Sequence, residues 1–227
     1  MAWTAPLFDR LWDRYDSWYE RHPLVAESEL RAVRAALSGL PGPCVEVGVG
    51  TGWFASRAGC EYGVDPSRAM LRIALERGVL VAQGRGERLP LATGSMGSVL
   101  MVVTLCFVSD PLQALREARR VLAPGGGLAA CIVPADSDWG RHYARLARQG
   151  HPFYAHARFL TVGETERLMR LAGLEPEGRV AVLRYPPWEP ERLEEPTEYR
   201  GGEGFVCIRG RAVTGLERAE PLRSGGR

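Results

Sequence analysis

The segment Glu46-Val47-Gly48-Val49-Gly50-Thr51-Gly52 limits what this chain can fold into more than any other feature. It follows a short β-prone run at 44–47, and a carboxylate, Asp65, ends the next β-prone run at 61–65. Glycine at the carboxyl end of a strand lets the backbone come close to a ligand, because a Cβ there would fill the ligand's space. A carboxylate closing the second strand can accept both hydroxyls of a ribose. A glycine turn alone can be a plain tight connection. Here the strand, three alternate glycines and the acid agree, which favours a binding loop for an adenosine-type ligand. A dinucleotide loop has the pattern G-x-G-x-x-G, and the sixth position from Gly48 is Trp53, so NAD and FAD fit poorly.

The rest of the chain alternates helical and strand periodicity. Phe8, Leu11, Trp12, Tyr15, Trp18 and Tyr19 recur at three- and four-residue steps and predict one aromatic-faced amphipathic helix. A second helix carries Leu30, Val33 and Leu37 and stops at Gly39. Strands are expected at 44–47, 61–65, 79–83, 98–105 and 128–133, all read as buried. Helices are expected at 67–77, with Ser67 as N-cap, and from Asp110-Pro111 to Leu122. Near-continuous apolar strands between helices argue a parallel sheet covered on both faces. After Pro134 a polar, helix-compatible stretch leads to a helix at 161–173. Two strand-like runs, 179–184 and 204–208, then suit an antiparallel closing pair, and the tail from Thr214 is expected to be disordered.

Composition removes several chemistries. All 29 basic residues are arginine, so a lysine Schiff base and a P-loop lysine are impossible, and without asparagine there is no Asn-linked glycosylation. A net charge of +2 gives no nucleic-acid footprint by itself. The five cysteines are odd in number and widely spaced, without a C-x-x-C, so neither a disulfide framework nor a metal site is expected. Charged residues interrupt the N-terminal apolar positions, and the longest apolar stretch, 99–108, is about half of a membrane span. A cytoplasmic protein without membrane attachment is the expectation.

The spacing G-x-G-x-G, with an acid two residues ahead, resembles the first motif of class I S-adenosylmethionine-dependent methyltransferases. Tyr62-Gly63-Val64-Asp65-Pro66-Ser67 is similar to their second motif, and Arg85-Gly86-Glu87-Arg88-Leu89-Pro90-Leu91 to their third-strand exit loop. The stretch from Leu115 to Gly126 resembles the helix and turn before strand five, so the likeness runs in order over about residues 8–210. It implies a Rossmann-like seven-stranded α/β sheet, mostly parallel with an antiparallel closing strand and helices on both faces. Residues 1–40 would form a helical lid, 41–212 the cofactor-binding domain with a substrate cap at 135–160, and 213–227 the tail.

The resemblance also implies site residues. Gly48, Gly50 and Gly52 would pass beneath the methionine part of S-adenosylmethionine, with Glu46 near its ammonium. Asp65 would hold the ribose, and Pro66 and Met70 would flank the adenine. Tyr15 and Trp18 would cover the cofactor, although each also reads as the core face of the amphipathic helix, and Gly86, Glu87 and Thr104 would complete the site. Carboxylates suit a ligand carrying a sulfonium and an ammonium, where a pyrophosphate would be repelled. Two positions depart from the family: Arg85 replaces an acid that binds the adenine amino group, and Gly97 replaces an acid before strand four. In-line methyl transfer requires alignment and, for a poor nucleophile, a base. The candidates are His142, Tyr143, His151 and Tyr154 in the cap, although each histidine reads more simply as a loop residue without a fixed orienter. The expected partner is a small-molecule acceptor. RNA or protein methylation, or a non-catalytic cofactor-binding module, are the alternatives, and oligomeric state is not legible.

Overall fold

His22-Pro23 sets the first long helix. In α3 (Pro23–Leu37) proline occupies the first turn, where its missing N–H costs nothing, and Val25, Ala26, Leu30, Val33 and Ala36 face inward. Ahead of it lie α1 (Ala5–Arg10) and α2 (Trp12–Arg21). The unbroken aromatic periodicity predicts one helix, but the backbone leaves helical geometry at Leu11 (φ −120°, ψ 25°) and two helices result. The computed structural model describes residues 5–213, so the predicted tail lies outside the described residues except for Val213.

The alternating part follows as β1 (Cys44–Val47), α4 (Trp53–Ala58), β2 (Tyr62–Asp65), α5 (Arg68–Glu76), β3 (Leu80–Gln83), β4 (Met96–Val102), α6 (Pro111–Val121) and β5 (Leu122–Ile132). Then come α7 (Asp138–Arg148), a 3₁₀ turn (Tyr154–His156), α8 (Val162–Leu171), β6 (Leu174–Val182), β7 (Thr197–Glu198) and β8 (Phe205–Ala212). Helix starts are chemically fixed. Ser67 accepts from the Met70 amide, Asp110 from Gln113 and Ser137 from Gly140, while Thr161 and Glu164 form a capping box.

The strands form one sheet in the order β3-β2-β1-β4-β5-β8-β6-β7. Neighbours from β3 to β5 pair in parallel, and β8 runs antiparallel to both β5 and β6. Seven strands were expected; the eighth is the two-residue β7 at the far edge. The other edge, β3, differs from its reading as a buried strand, since Leu80 is 57% exposed. Successive strand residues face opposite layers, as a period of two requires. Leu100, Ala129 and Cys131 pack with α3 and α4, whereas Val99, Met101, Leu128 and Ala130 pack with α6 and α8. Helix α3 thus belongs to the layer that covers the sheet, and Tyr19 of α2 packs into the same cluster. At Gly97 a Cβ would stand 2.3 Å from the Gly42 carbonyl oxygen, so no acid fits there.

One expectation is overturned. Cys44 is disulfide-bonded to Cys60 and Cys131 to Cys207, leaving Cys106 free and buried. Cys131 and Cys207 are 76 residues apart in sequence but face each other across β5 and β8, and sheet register is invisible to cysteine spacing.

Candidate active site

Strand order reverses between β1 and β4, and in open α/β sheets ligands bind at the carboxyl ends of the strands at that switch point. The glycine turn lies there. Gly48, Gly50 and Gly52 all have positive φ, 75°, 52° and 76°, which favours glycine at each. Their surroundings differ. A Cβ on Gly48 would meet the Thr104 side chain at 2.5 Å, and Thr104 Oγ1 lies 2.9 Å from the Val47 carbonyl oxygen and 3.1 Å from that of Val102, joining the exits of β1 and β4. A Cβ on Gly50 would project into open space, with Tyr15 nearest at 3.7 Å. On Gly52 it would stand 2.9 Å from Ala74 of α5.

Asp65 closes the turn from β2. Its carboxylate accepts the Gly50 amide at 3.0 Å and the Ser67 amide at 2.8 Å, and burial raises its pKa to about 6 against those two bonds. Glu46, 2% exposed, lies under the turn, and its Oε2 is buried without a hydrogen-bond partner among the described residues. Burial pushes its pKa well above the usual carboxylate range, and the neighbouring Asp65 adds to the shift.

Two cavities open at this edge. The first is lined by Tyr15, Gly48, Gly50, Asp65, Pro66, Met70, Gly86, Glu87 and Thr104, nine of the twelve cofactor positions singled out in the sequence. Glu46 and Gly52 line neither cavity. Trp18 belongs to the second, which has a volume of about 310 Å³ and gathers His142, Tyr143, His151 and Tyr154. Tyr15, Val102, Val103 and Phe107 line both. Val103 has φ 50°, a strained conformation for a β-branched residue, and its amide donates to the Cys131 carbonyl at 2.8 Å.

The sequence reading missed several lining residues. Phe8 stacks on Phe153 (5.4 Å) and meets Phe107 edge-on (5.4 Å), so α1 reaches the first cavity as well as α2. Arg85 and Ser109 lie at the end formed by the β3 exit loop, where Glu87 Oε1 accepts the Ser109 amide at 2.7 Å. Glu29, from the core face of α3, opens onto the second cavity. A carboxylate among apolar neighbours in an amphipathic helix was the available signal for it. His142 contacts Arg145 at 2.9 Å and His151 contacts the Tyr154 amide at 3.4 Å, neither has a carboxylate orienter among the described residues, and burial lowers the pKa of both. His22, which the sequence reading passed over, is paired with Glu191 at the rim.

This sheet order, with a glycine turn after β1 and an acid ending β2, is the architecture of a methyltransferase fold. A family model described as a methyltransferase domain matches residues 45–130. A solved Thermotoga maritima structure, described as a S-adenosylmethionine-dependent methyltransferase and possible histamine N-methyltransferase, is 41% identical with TM-score 0.85, covering 91% of this chain and 99% of that one. An uncharacterized Mycobacterium tuberculosis protein is 41% identical over 201 residues, 86% of this chain and 70% of its own. The ubiquinone/menaquinone biosynthesis C-methyltransferase of Syntrophotalea carbinolica is 30% identical over 230 residues, covering 93% and 90%. The chain belongs to the class I S-adenosylmethionine-dependent methyltransferases. Among the described residues no helix is long and apolar enough to cross a membrane.

Proposed function

We propose that this methyltransferase moves the methyl group of S-adenosylmethionine, bound in the first cavity, to a small molecule held in the second. The observation that carries the reading is the shared wall: Tyr15, Val102, Val103 and Phe107 line both cavities, so a donor in one and an acceptor in the other meet there. The first cavity suits the donor. Gly50 leaves room for a close backbone approach and Asp65 suits a ribose diol, while Glu46, buried beneath the turn, does not line the cavity. Pro66 and Met70 offer apolar contact to a purine, with Gly86 and Glu87 at its edge. Arg85, in the family's acid position, presents a donor where an acceptor is usual, so it would stack on the ring or bond to its nitrogens rather than to its amino group.

The bound donor supplies a methyl carbon made electrophilic by its sulfonium. The protein's part is alignment and exclusion of water. Phe8 and Tyr15 line the first cavity, and the cap residues Trp139, Tyr143, Phe153 and Tyr154 line the second. The candidate bases are His142 and His151, whose lowered pKa keeps each imidazole neutral and able to accept a proton near pH 7. The small-molecule reading rests on a cavity walled largely by aromatic side chains, with its arginines confined to the rim. The likeness to a protein described as a possible histamine N-methyltransferase agrees with an acceptor of that size.

Calorimetry with S-adenosylhomocysteine and NAD, followed by an acceptor screen for S-adenosylhomocysteine release, tests the assignment. Binding of the former without comparable NAD affinity, and turnover on small acceptors, are expected. Preference for NAD, or turnover only on RNA or protein, overturns it.

A further inference from the structure

Methyl transfer as described above makes no use of Glu29. It lies on the inward face of α3 beside Ala26, Leu30 and Val33, is 6% exposed, and opens onto the second cavity. Among the described residues it has no ion pair and no hydrogen bond. An isolated carboxylate in such a place costs stability unless something compensates it. The cations nearby do not: Arg14 and Arg21 are exposed at the rim and His22 is engaged by Glu191. Aromatic rings surround it. Tyr19, Tyr143 and Tyr154 each feel its charge, Tyr143 and Tyr154 stack at 4.3 Å, and Trp18 and Trp139 extend the wall.

We propose that the acceptor carries an organic cation, a protonated amine or quaternary ammonium, with its charge seated against Glu29 and its body among these aromatic faces, while a different, uncharged nucleophilic atom of the same molecule takes the methyl group from the sulfonium. The proposal rests on reading the second cavity as the acceptor pocket. Aromatic faces attract a cation, and the attraction grows when water is excluded. The carboxylate gains the partner that the chain does not supply. A neutral molecule of equal shape gains no charge–charge attraction, because nothing in it would draw the proton off Glu29. Burial alone lifts the Glu29 pKa to about 8, so the empty pocket holds a carboxyl that a bound cation would ionise. The lowered pKa of His142 and His151 leaves those two imidazoles uncharged and not competing with a cation.

Two matched pairs test this on the full chain by calorimetry, with and without S-adenosylhomocysteine: choline against 3,3-dimethylbutanol, and 2-phenylethylamine against 2-phenylethanol. In at least one pair the cation is expected to bind at least tenfold more tightly. Glu29→Gln is expected to erase that margin while leaving the alcohols and S-adenosylhomocysteine unaffected. Glu29→Asp, which withdraws the carboxylate by one methylene, provides the same comparison if the amide variant does not fold. Equal binding within both pairs, or a preference that survives Glu29→Gln, overturns the proposal. A cation preference without S-adenosylhomocysteine binding would keep Glu29 as a cation site but remove the methyl-transfer reading and with it the claim that the cation is the acceptor; S-adenosylhomocysteine binding without the preference would keep that reading and overturn the proposal.

Discussion

The carboxylate of Asp65 accepts the backbone amide of Gly50 at 3.0 Å, so the acid ending β2 holds the glycine turn after β1 in place as well as facing the first cavity. One residue thus couples the shape of the loop to the wall of the cavity. Asp65→Ala leaves the Gly50 and Ser67 amides without that acceptor, at a cost of about 1–3 kcal/mol in stability. Loss of charge-assisted bonds to the ribose, together with a looser turn, is expected to weaken S-adenosylhomocysteine by on the order of 1.5–3 kcal/mol. Calorimetry and denaturant unfolding read the two effects separately. Unchanged affinity in a folded variant removes Asp65 from the site.

The glycines of the turn are expected to behave differently from one another. Gly50→Val projects into the first cavity and should abolish S-adenosylhomocysteine binding while most of the stability remains, beyond the roughly 1–2 kcal/mol of a left-handed backbone. Gly52→Val drives its side chain into Ala74 and should unfold the protein or lower its melting temperature far more. A reversed order of melting temperatures contradicts this division.

The N-terminal helices are held to the site by polar contacts. Asp9 accepts from Ser67 Oγ at 2.7 Å and from the Ala69 amide at 3.1 Å, while Asp16 bonds Arg77 and Thr51. Tyr19 is buried and stacks on Trp53 at 4.4 Å, whereas α1 buries only Ala5. Amides of α1 and the start of α2 should therefore exchange readily without ligand and gain protection with S-adenosylhomocysteine, and those near Tyr19 should be protected in both states. Deleting residues 1–10 should lower turnover more than melting temperature. Ligand-independent protection throughout residues 8–20 would show that α1 does not move.

Glu29 makes stability depend on pH in a defined direction. Its pKa is raised to about 8 in the fold from an ordinary 4.5, so between those values the native state keeps a proton that the unfolded chain has lost. Stability should fall as pH rises through that window, by up to a few kcal/mol, and level off above it. Asp65, raised to about 6, adds a smaller fall in the same direction. The facing phenols of Tyr19, Tyr143 and Tyr154 are pushed upward by burial and stay neutral throughout. Glu29→Gln should raise the melting temperature more at pH 8.5 than at pH 5; an equal shift at both refutes the buried, unpaired assignment.

The sequence by itself determined the alternation of elements, the binding turn and its acid, because these depend on local periodicity and on residues whose backbone preferences act wherever they stand. Ser67 and Asp110 as caps, the strand before Gly48, and Asp65 at the next strand end are all of this kind. Gly48, Asp65 and Thr104 line one cavity for the same reason, since each stands at or just after the carboxyl end of a parallel strand. What only the tertiary structure decided concerns pairs distant in sequence. Cys131 meets Cys207 through sheet register, Gly52 serves packing against Ala74 rather than the cavity, and Phe8 meets Phe153 across the cavity mouth. The face of α3 that carries Glu29 acquired a meaning only when α2, α7 and the 3₁₀ turn closed around it. Periodicity says which residues are turned inward, but the side chains they meet there depend on helix placement over the sheet, which is set by the packing of the whole chain.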